Sequence, residues 1–384
     1  MNKDQKFLNI KPAHIVYLAL GSNLGNKFVN LQEAVNGIFK QIGSILKISP
    51  LYGSASMGFE GDDFLNCVLL VETNLSPKKT LDACQRIEKK LGKQKRETDD
   101  YVSRPIDIDI LFFDDLVQEN KNLTIPHPEI QNRKFVLQPF ADLNSQFVHP
   151  IFQKKIIKLL AETDDKSQIE KQSKWLNNPI KEYALSKYNY IAIEGNIGAG
   201  KTSLTTKLAH DFNAKPILER FKDNPFLPKF YNEPSRYAFP LEMSFLADRY
   251  QQLLEDIKQF DLFKDCVVAD YDAYKSLIFA KVTLQEEEFS LYKKLFHLMH
   301  RELPKPDVYI YLYQNTNRLL ENIKKRGRKY EQSIQSSYLQ KINDGYLEFI
   351  KNKMDDSVKI IDISEMDFVD NRSDYLAILK RILE

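Results

Sequence analysis

The sequence predicts an α/β protein of two domains, and three observations support this fold class. Its length of 384 residues is typical of two ordinary domains. Short apolar runs alternate with helical patterns in both halves of the chain, as expected for sheets covered by helices. Near the middle, an apolar run leads into the glycine-rich stretch GNIGAGKT (residues 195–202), and a helical pattern follows it. We therefore predict a first domain at 1–160, a linker at 161–187 and a second domain at 188–384.

The composition argues against several classes of protein. Lysine and arginine nearly balance aspartate and glutamate, and the net charge of +2 predicts no general attraction to nucleic acid or to a membrane. No apolar run is long enough to span a bilayer, and the first residues lack a signal-peptide core. The three cysteines are scattered without metal-site spacing, which indicates a reducing compartment. We therefore expect a cytoplasmic protein.

In the first half, apolar runs alternate with helical periodicity, which predicts a compact α/β or α+β layer. Leu31, Val35 and Ile38 recur at helical spacing and predict one buried helix face. Pro77 follows Ser76, a pair typical of a capped helix start. The predicted elements are, in order, a strand at 14–20, the Leu31 helix, an extended run at 45–52, a strand at 64–72, a helix from Ser76 to Leu91, a strand at 106–113 and a helix at 151–160.

Two aspartates in the predicted strand at 106–113 are the main candidates for a functional site in the first half of the chain. Asp107 and Asp109 are two residues apart, so their side chains project from the same face of the strand. Two neighbouring carboxylates repel each other unless a cation lies between them. Such a pair suits Mg²⁺, which takes one or two carboxylates together with substrate phosphates. The alternative is a solvated polar face on an edge strand.

The pair belongs to a series of motifs along the first half of the chain, which are GSNLG (21–25), DFLN (63–66), QRIE (85–88), RPIDIDI (104–110), LTIPHP (123–128) and NRKF (132–135). In order and spacing, this series resembles 6-hydroxymethyl-7,8-dihydropterin pyrophosphokinase, an enzyme family of folate biosynthesis, over residues 14–160. The resemblance implies a ferredoxin-like α+β sandwich that transfers pyrophosphate from ATP to the pterin hydroxymethyl group.

The resemblance also implies roles for individual residues of the first half. Asp107 and Asp109 would bind two Mg²⁺ ions between the ATP phosphates. A flat heterocycle suits two aromatic faces and one amide that both donates and accepts. The remaining roles concern substrate and phosphate contacts: Phe64 and Phe135 would sandwich the pterin ring, Asn66 would bind its edge, Glu88 and His127 would contact ATP, and Arg104 and Arg133 would neutralise phosphate.

In the second half, apolar strands alternating with helices predict a parallel sheet covered on both faces. The stretch at 195–202 fits the pattern G-x-x-x-x-G-K-[ST], in which backbone N–H groups and a helix N-terminus bind phosphate. Lys201 would lie against the β- and γ-phosphates, and Thr202 would bind Mg²⁺. The full set of predicted loop contacts to ATP is Gly195, Asn196, Ile197, Gly198, Ala199, Gly200, Lys201 and Thr202.

Besides the loop, the second half contains the motifs ERFKDNPFL (219–227), FYNEPSRYAFPLEMSFLADR (230–249), VVAD (267–270), SLIFA (276–280) and RGRKYEQ (326–332). With these motifs, residues 188–350 resemble the deoxyribonucleoside kinases. The resemblance implies a phosphate-loop kinase with a parallel five-stranded sheet flanked by helices, and a homodimer formed through this domain.

This second resemblance also implies site residues. Glu219 would be the general base that takes the proton of the 5′-hydroxyl group, and Asp270 would support Mg²⁺. The remaining roles are contacts to the nucleoside and the moving phosphoryl group: Tyr231 and Glu331 would hold the sugar 3′-hydroxyl, Glu242 and Arg249 would face the base edge, Phe279 would stack on the base, and Arg326 and Arg328 would act from a lid.

Two positions depart from the kinase pattern. Tyr271 stands where relatives usually carry arginine, and Lys275 is a candidate to supply the missing positive charge. Glu242 stands where relatives usually carry glutamine. An ionised carboxylate only accepts hydrogen bonds, so it favours a base edge rich in N–H groups. We therefore expect a purine deoxynucleoside, with deoxyadenosine ahead of deoxyguanosine.

The sequence thus predicts a fusion of two Mg²⁺- and ATP-dependent transferases that act on small molecules. Two alternatives remain open. The loop at 93–104 reads KQKRETDDYVSR instead of the usual arginine- and tryptophan-rich sequence, so the first half could serve only as a binding or scaffold domain. The second half could instead be a nucleoside-monophosphate kinase.

Overall fold

The structure is a computed structural model that describes residues 13–56, 62–93, 103–220, 224–258, 263–353 and 357–384. Most of the altered loop at 93–104 therefore lies outside the described residues. The chain forms two compact units, Met1–Tyr183 and Ala184–Glu384. In the described part, no helix is both long enough and apolar enough to cross a membrane.

The first unit contains an antiparallel sheet with helices packed against it. The strands of this unit are β1 (His14–Ser22), β2 (Gly43–Ile48), β3 (Tyr52–Ser54), β4 (Phe64–Thr73), β5 (Asp107–Phe113), β6 (Gln118–Asn120), β7 (Leu123–Ile125) and β8 (Ile169–Lys171), of which β6 and β7 pair with each other outside the main sheet. Its helices are α1 (Lys27–Gln41), α2 (Pro77–Lys90), α3 (Lys134–Asn144) and α4 (Ile156–Glu162). The elements β1-α1-β2-β4-α2-β5 form a β-α-β-β-α-β unit with spatial order β5-β1-β4-β2. The predicted ferredoxin-like sandwich is confirmed.

Local signals set the helix boundaries of this unit. The Ser76 side chain accepts a hydrogen bond from the Lys79 amide and caps α2, whose first residue is Pro77. The predicted helix at 151–160 begins only at Ile156, because a turn at His149–Lys154 precedes it, with the His149 amide donating to the Lys154 carbonyl at 2.8 Å. Helix α3 was not predicted, since Pro139 interrupts its helical signal.

The segment at 161–187, expected as a linker, lies partly against the first unit. Strand β8 pairs antiparallel with β3 and extends the sheet. Farther along, the Asn178 side chain donates to the Ile45 carbonyl at 2.7 Å. These contacts are consistent with the division of the chain after Tyr183.

The second unit contains a parallel sheet covered by helices. Its strands are β9 (Tyr190–Gly195), β10 (Lys215–Ile217), β11 (Val267–Ala269), β12 (Val308–Tyr313) and β13 (Val358–Asp362). Its helices are α5 (Lys201–Asp211), α6 (Leu227–Asn232), α7 (Pro234–Lys258), α8 (Tyr274–Thr283), α9 (Glu286–His300), α10 (Thr316–Arg326), α11 (Ser336–Lys353) and α12 (Arg372–Leu383). The strand order is β10-β11-β9-β12-β13, and every pair is parallel. The predicted parallel five-stranded sheet is confirmed.

The sheet order places the candidate site residues of this unit at one edge of the sheet, where the strands end. The glycine-rich stretch joins the carboxyl end of central strand β9 to the start of α5. Strand β11, beside β9, ends just before Asp270, and β10 ends two residues before Glu219. Because parallel strands end at the same edge, these three features meet there, as expected for a ligand site in such a sheet.

Candidate active sites

A cavity of about 330 Å³ lies in the first unit beside β1, β4 and β5. This volume falls in the range of sites that bind small molecules. The cavity combines aromatic rings, two side-chain amides, three carboxylates and two guanidinium groups, which suits a flat polar ring next to an anion. The predicted site residues that line it are Phe64, Asn66, Arg104, Asp107, Asp109, Arg133 and Phe135.

Asp107 and Asp109 lie on the cavity side of β5, while Ile108 and Ile110 between and after them are buried. The Asp107 carboxylate accepts from Lys93 Nζ at 2.6 Å and lies 3.1 Å from Arg104 Nη1. Burial, together with the neighbouring charge of Asp107, raises the pKa of Asp109. The pair is therefore a place where further positive charge is stabilising.

Glu88 and His127 are not among the described residues that line the cavity. Glu88 Oε1 accepts from the Ile108 amide at 2.8 Å and from Lys93 Nζ at 2.7 Å, so Glu88 supports both β5 and the lysine beside Asp107. Burial raises the pKa of Glu88 and lowers the pKa of His127. Contacts from these two side chains to ATP stay a prediction.

The structure adds cavity residues that the sequence analysis missed. The Asn66 side-chain amide donates to Ser54 Oγ at 3.0 Å, and both groups line the cavity together with Glu129 and Asn132. The contact depends on the register of β3 against β4, which pairs Ser54 with Phe64. No local sequence pattern encodes that register, so the contact between Ser54 and Asn66 could not be predicted from the motifs.

In the second unit, the stretch at 195–202 forms a tight loop that only glycine accommodates at key points. Gly198 and Gly200 have φ values of +86° and +84°, which side-chain-bearing residues rarely adopt. Lys201 Nζ donates to the carbonyl groups of Gly195 at 2.9 Å and Asn196 at 3.0 Å. Burial and the nearby charge of Lys275 lower the pKa of Lys201 to about 8.

Ile197 and Ala199 complete this loop, and Asn196 anchors it. The Asn196 side chain donates to the Leu339 carbonyl at 2.7 Å and to Asn343 Oδ1 at 2.8 Å, and it accepts from the Ile197 amide at 2.7 Å. The Asn196 side chain thus supports the loop, which leaves backbone N–H groups and the start of α5 as the groups suited to an anion.

The Gly200→Ala substitution is expected to destabilise the second unit by about 1–3 kcal/mol. A Cβ atom there would lie 2.8 Å from Phe368 Cζ, in addition to the unfavourable φ. Thermal unfolding of the full chain measures the loss. Gly327→Ala is the matched control, because Gly327 also has positive φ (+73°) but a Cβ there meets nothing within 4 Å. Equal losses in the two variants would contradict the predicted steric contribution.

Glu219 lies between two cations. Its Oε1 atom is 2.7 Å from Arg249 Nη2, and its Oε2 atom is 2.5 Å from Lys275 Nζ. Burial alone would raise the pKa of Glu219, but Lys275 and Arg249 hold it well below its usual range. The carboxylate is therefore ionised, and Lys275 supplies a positive charge beside it, as suggested by the departure at Tyr271.

Asp270 connects the glycine-rich loop to Glu219. Its Oδ2 atom accepts from the Thr202 hydroxyl at 2.5 Å, and its Oδ1 atom accepts from the Glu219 amide at 2.7 Å. A hydroxyl group beside one carboxylate is a donor set that suits Mg²⁺ when phosphate oxygens complete it. Within the described ranges, no cluster of three or more His, Cys, Asp or Glu side chains could hold a metal ion.

The predicted lid and sugar residues come together after α10. Glu331 accepts from Arg326 Nη2 at 2.5 Å and from Arg328 Nη1 at 3.1 Å. The Tyr231 ring stacks on Tyr330, with ring centroids 5.9 Å apart. Both guanidinium groups thus lie beside the carboxylate that was expected to bind the sugar.

Glu242 is buried in α7, and its Oε1 atom accepts from the Thr283 hydroxyl at 3.1 Å. Burial raises the pKa of Glu242 to about 7, against the opposing charge of Arg249. Phe279, one turn before Thr283 on α8, is also nearly buried. The predicted base-reading residues thus occupy one buried region.

Comparisons with known proteins assign a family to each of the two units. Residues 191–384 match the family model "Deoxynucleoside kinase", and residues 17–145 match "7,8-dihydro-6-hydroxymethylpterin-pyrophosphokinase (HPPK)". The chain is 41% identical over 199 residues to a deoxyguanosine kinase of Bacillus subtilis, covering 51% of this chain and 96% of the relative. It is 37% identical over 142 residues to a 2-amino-4-hydroxy-6-hydroxymethyldihydropteridine pyrophosphokinase of Aquifex aeolicus, covering 37% and 87%. The chain belongs to both families.

The chain is thus a fusion of an HPPK domain and a deoxynucleoside kinase domain, both from families of ATP-using kinases that act on small molecules. A deoxyadenosine kinase of Dictyostelium discoideum is also similar, at 33% identity over 186 residues, covering 47% of this chain and 74% of the relative. The cavity beside β5 lies in the HPPK domain, and the glycine-rich loop begins the deoxynucleoside kinase domain.

Proposed function

We propose that each domain carries out its own ATP-dependent transfer. The HPPK domain transfers pyrophosphate from ATP to 6-hydroxymethyl-7,8-dihydropterin, and the kinase domain phosphorylates the 5′-hydroxyl of a purine deoxynucleoside. The observation that supports the proposal is that each unit places a carboxylate beside fixed cations. Asp107 lies beside Lys93 and Arg104 in the first unit, and Glu219 lies beside Arg249 and Lys275 in the second.

In the HPPK domain, the substrate hydroxyl oxygen attacks the β-phosphorus of ATP and AMP leaves. Phe64 and Phe135 hold the pterin ring from its faces, and the Asn66 amide binds its edge. Arg104 and Arg133 neutralise charge on the transferred group, which is the main contribution a protein makes to phosphoryl transfer. Glu88 and His127 contribute to the ATP side of the site.

In the kinase domain, the 5′-hydroxyl oxygen attacks the γ-phosphorus of ATP and ADP leaves. Glu219 accepts the hydroxyl proton, while Lys201, Arg326 and Arg328 neutralise the moving phosphoryl group. Arg249 and Lys275 orient the Glu219 carboxylate through their ion pairs. Tyr231 and Glu331 hold the sugar 3′-hydroxyl, and Phe279 stacks on the base.

We propose Mg²⁺ as the metal in both sites. Asp107 and Asp109 would hold it in the HPPK domain, and Thr202 with Asp270 would hold it in the kinase domain. The fit rests on oxygen-donor chemistry. The pKa of Asp109 is raised by burial and, in addition, by repulsion from Asp107, and a bound cation would offset both effects. In the kinase domain, the donors are one hydroxyl group and one carboxylate. When bound, Mg²⁺ neutralises charge on the ATP phosphates.

The two activities can be separated in the full chain by their nucleotide products. Incubation with ATP and the pterin alone should release AMP, and incubation with ATP and a purine deoxynucleoside should release ADP. Absence of AMP at any enzyme concentration would favour a non-catalytic HPPK domain. Phosphate transfer to a nucleoside monophosphate instead of a deoxynucleoside would favour the monophosphate-kinase alternative.

We further propose a homodimer formed through the kinase domain. Helix α9 exposes Leu291 and Leu298, which lie two turns apart on one face and are 51% and 64% exposed. Light scattering on the full chain should give a mass near twice that of one chain. Replacement of both leucines by lysine should shift that mass to the monomer, and an unchanged dimer would place the interface elsewhere. The cytoplasmic location stays a prediction.

A further inference from the structure

Glu242 carries a buried carboxylate oxygen that the protein leaves without a donor. The residue is only 2% exposed, and its Oε1 atom accepts from the Thr283 hydroxyl. Within the described part of the chain, its Oε2 atom is buried and has no hydrogen-bond partner. A buried polar atom of this kind is costly unless another molecule satisfies it. The structure therefore indicates that a ligand group completes the hydrogen bonding of Glu242.

The position of Glu242 makes the nucleoside base the natural ligand group. Glu242 and Arg249 lie on the same helix, and the Arg249 guanidinium binds Glu219, the proposed general base. Thr283 Oγ1 lies 3.1 Å from Glu242 Oε1 and 3.0 Å from the carbonyl oxygen of Phe279, the proposed stacking residue. Its single hydroxyl proton is therefore shared between these two acceptors. The Oε2 atom of Glu242 thus lies in the same buried region as Glu219, the proposed general base.

The two purines present different hydrogen-bonding edges. Guanine offers two adjacent N–H donors, N1–H and the 2-amino group, which match the two acceptor oxygens of an ionised carboxylate. Adenine offers one donor, the 6-amino group, beside one acceptor, N1. That edge matches a neutral carboxylic acid, which has one O–H donor and one acceptor oxygen.

We propose that Glu242 selects the purine by its own protonation state, so that the ionised form favours deoxyguanosine and the neutral form favours deoxyadenosine. The proposal rests on the proposed deoxynucleoside kinase function and refines its substrate. In the sequence analysis, the preference for deoxyadenosine was derived from an ionised carboxylate. The proposal reverses that step, because guanine presents two adjacent N–H donors and adenine only one, so deoxyadenosine is the substrate of the neutral form.

Both forms are accessible near neutral pH, because burial raises the pKa of Glu242 to about 7. Arg249 and the Thr283 hydrogen bond oppose this rise, and Glu219 adds to it. The titratable and charged groups that face Glu242 are Arg249 on α7, Lys275 on α8, Glu219 after β10, Tyr231 on α6, Tyr292 on α9 and Tyr338 on α11.

The test measures kcat/KM for deoxyguanosine and deoxyadenosine with the full chain between about pH 6 and pH 8. The ratio of the two values cancels any titration that affects phosphoryl transfer equally for both substrates. For a group with a pKa near 7, the proportion of ionised to neutral form changes about 100-fold over this range. We therefore expect the ratio of deoxyguanosine to deoxyadenosine to rise by about tenfold or more with pH.

Two variants identify the titrating group. Glu242→Gln should give a ratio that no longer depends on pH, because an amide both donates and accepts throughout. Thr283→Val removes a hydrogen bond that favours the ionised form, so the transition should remain but move to higher pH. The wild-type profile and the Thr283→Val shift keep the test decisive even where Glu242→Gln folds poorly.

Each outcome decides between the two proposals. A wild-type ratio that is constant or falls with pH overturns the role of Glu242 while leaving the kinase function in place. A rising ratio that persists in Glu242→Gln assigns the titration to another group and also overturns it. Failure of both deoxynucleosides to accept phosphate contradicts the kinase function itself.

Discussion

Asp109→Asn is expected to lower pterin pyrophosphorylation by about 1000-fold without lowering the free energy of unfolding. The substitution removes one of two carboxylates proposed to hold Mg²⁺, and loss of one such electrostatic group typically costs a hundred- to a thousandfold in rate. The pKa of Asp109 is raised in the folded chain, so at neutral pH its ionised form opposes folding. The asparagine keeps the shape of the side chain and removes the repulsion from Asp107, so the melting temperature should be unchanged or higher.

The measurements are AMP release with the pterin and thermal unfolding at neutral pH. Asp115→Asn is the matched control, since Asp115 lies in the exposed turn after β5. ADP release with a deoxynucleoside should be unaffected in both variants. Full pterin activity in Asp109→Asn would contradict the metal role, and a marked fall in melting temperature would contradict the repulsion.

Glu219→Gln is expected to lower deoxynucleoside phosphorylation by about a hundred- to ten-thousandfold, the range for a general base. It should also destabilise the kinase domain by about 3 kcal/mol, because Lys275 and Arg249 would be left as buried cations without their counter-charge. This variant therefore loses both activity and stability, whereas Asp109→Asn loses activity alone.

The activity is measured as ADP release with a purine deoxynucleoside, and the stability by denaturant unfolding of the full chain. Glu365→Gln serves as the comparison, since Glu365 is exposed in a turn of the same domain. AMP release by the HPPK domain should persist and shows that the Glu219→Gln chain is otherwise intact. Near-normal ADP release would exclude Glu219 as the base.

Local sequence patterns predicted the parts of this protein that depend on neighbouring residues. The alternation of apolar strands with helices predicted the parallel sheet of the second unit, and the glycines at 195–202 predicted the loop at the carboxyl end of its central strand. The Asp107 and Asp109 pair follows from strand periodicity alone. Each of these signals lies within a few residues, so no knowledge of tertiary structure was needed.

Contacts between distant segments were beyond the sequence. Lys93 reaches both Glu88 and Asp107, and Ser54 meets Asn66, only because α2, β3, β4 and β5 pack in one particular register. Strand β8 joins the first sheet from a segment that reads as a polar linker. Lys275 was suggested by a missing arginine, but its ion pair with Glu219 depends on the tertiary structure, which brings the start of α8 to the segment that follows β10.

The contact between Gly200 and Phe368 has a consequence for biosynthesis. The Phe368 ring lies beside Gly200 of the glycine-rich loop, although Phe368 follows Gly200 by about 170 positions and comes after edge strand β13. A ribosome will therefore have finished the whole HPPK domain, and most of the kinase domain, before this support exists. Because domains fold as units in the order of their synthesis, nascent chains should pass through a stage with a finished pterin pocket and an unsupported nucleotide loop.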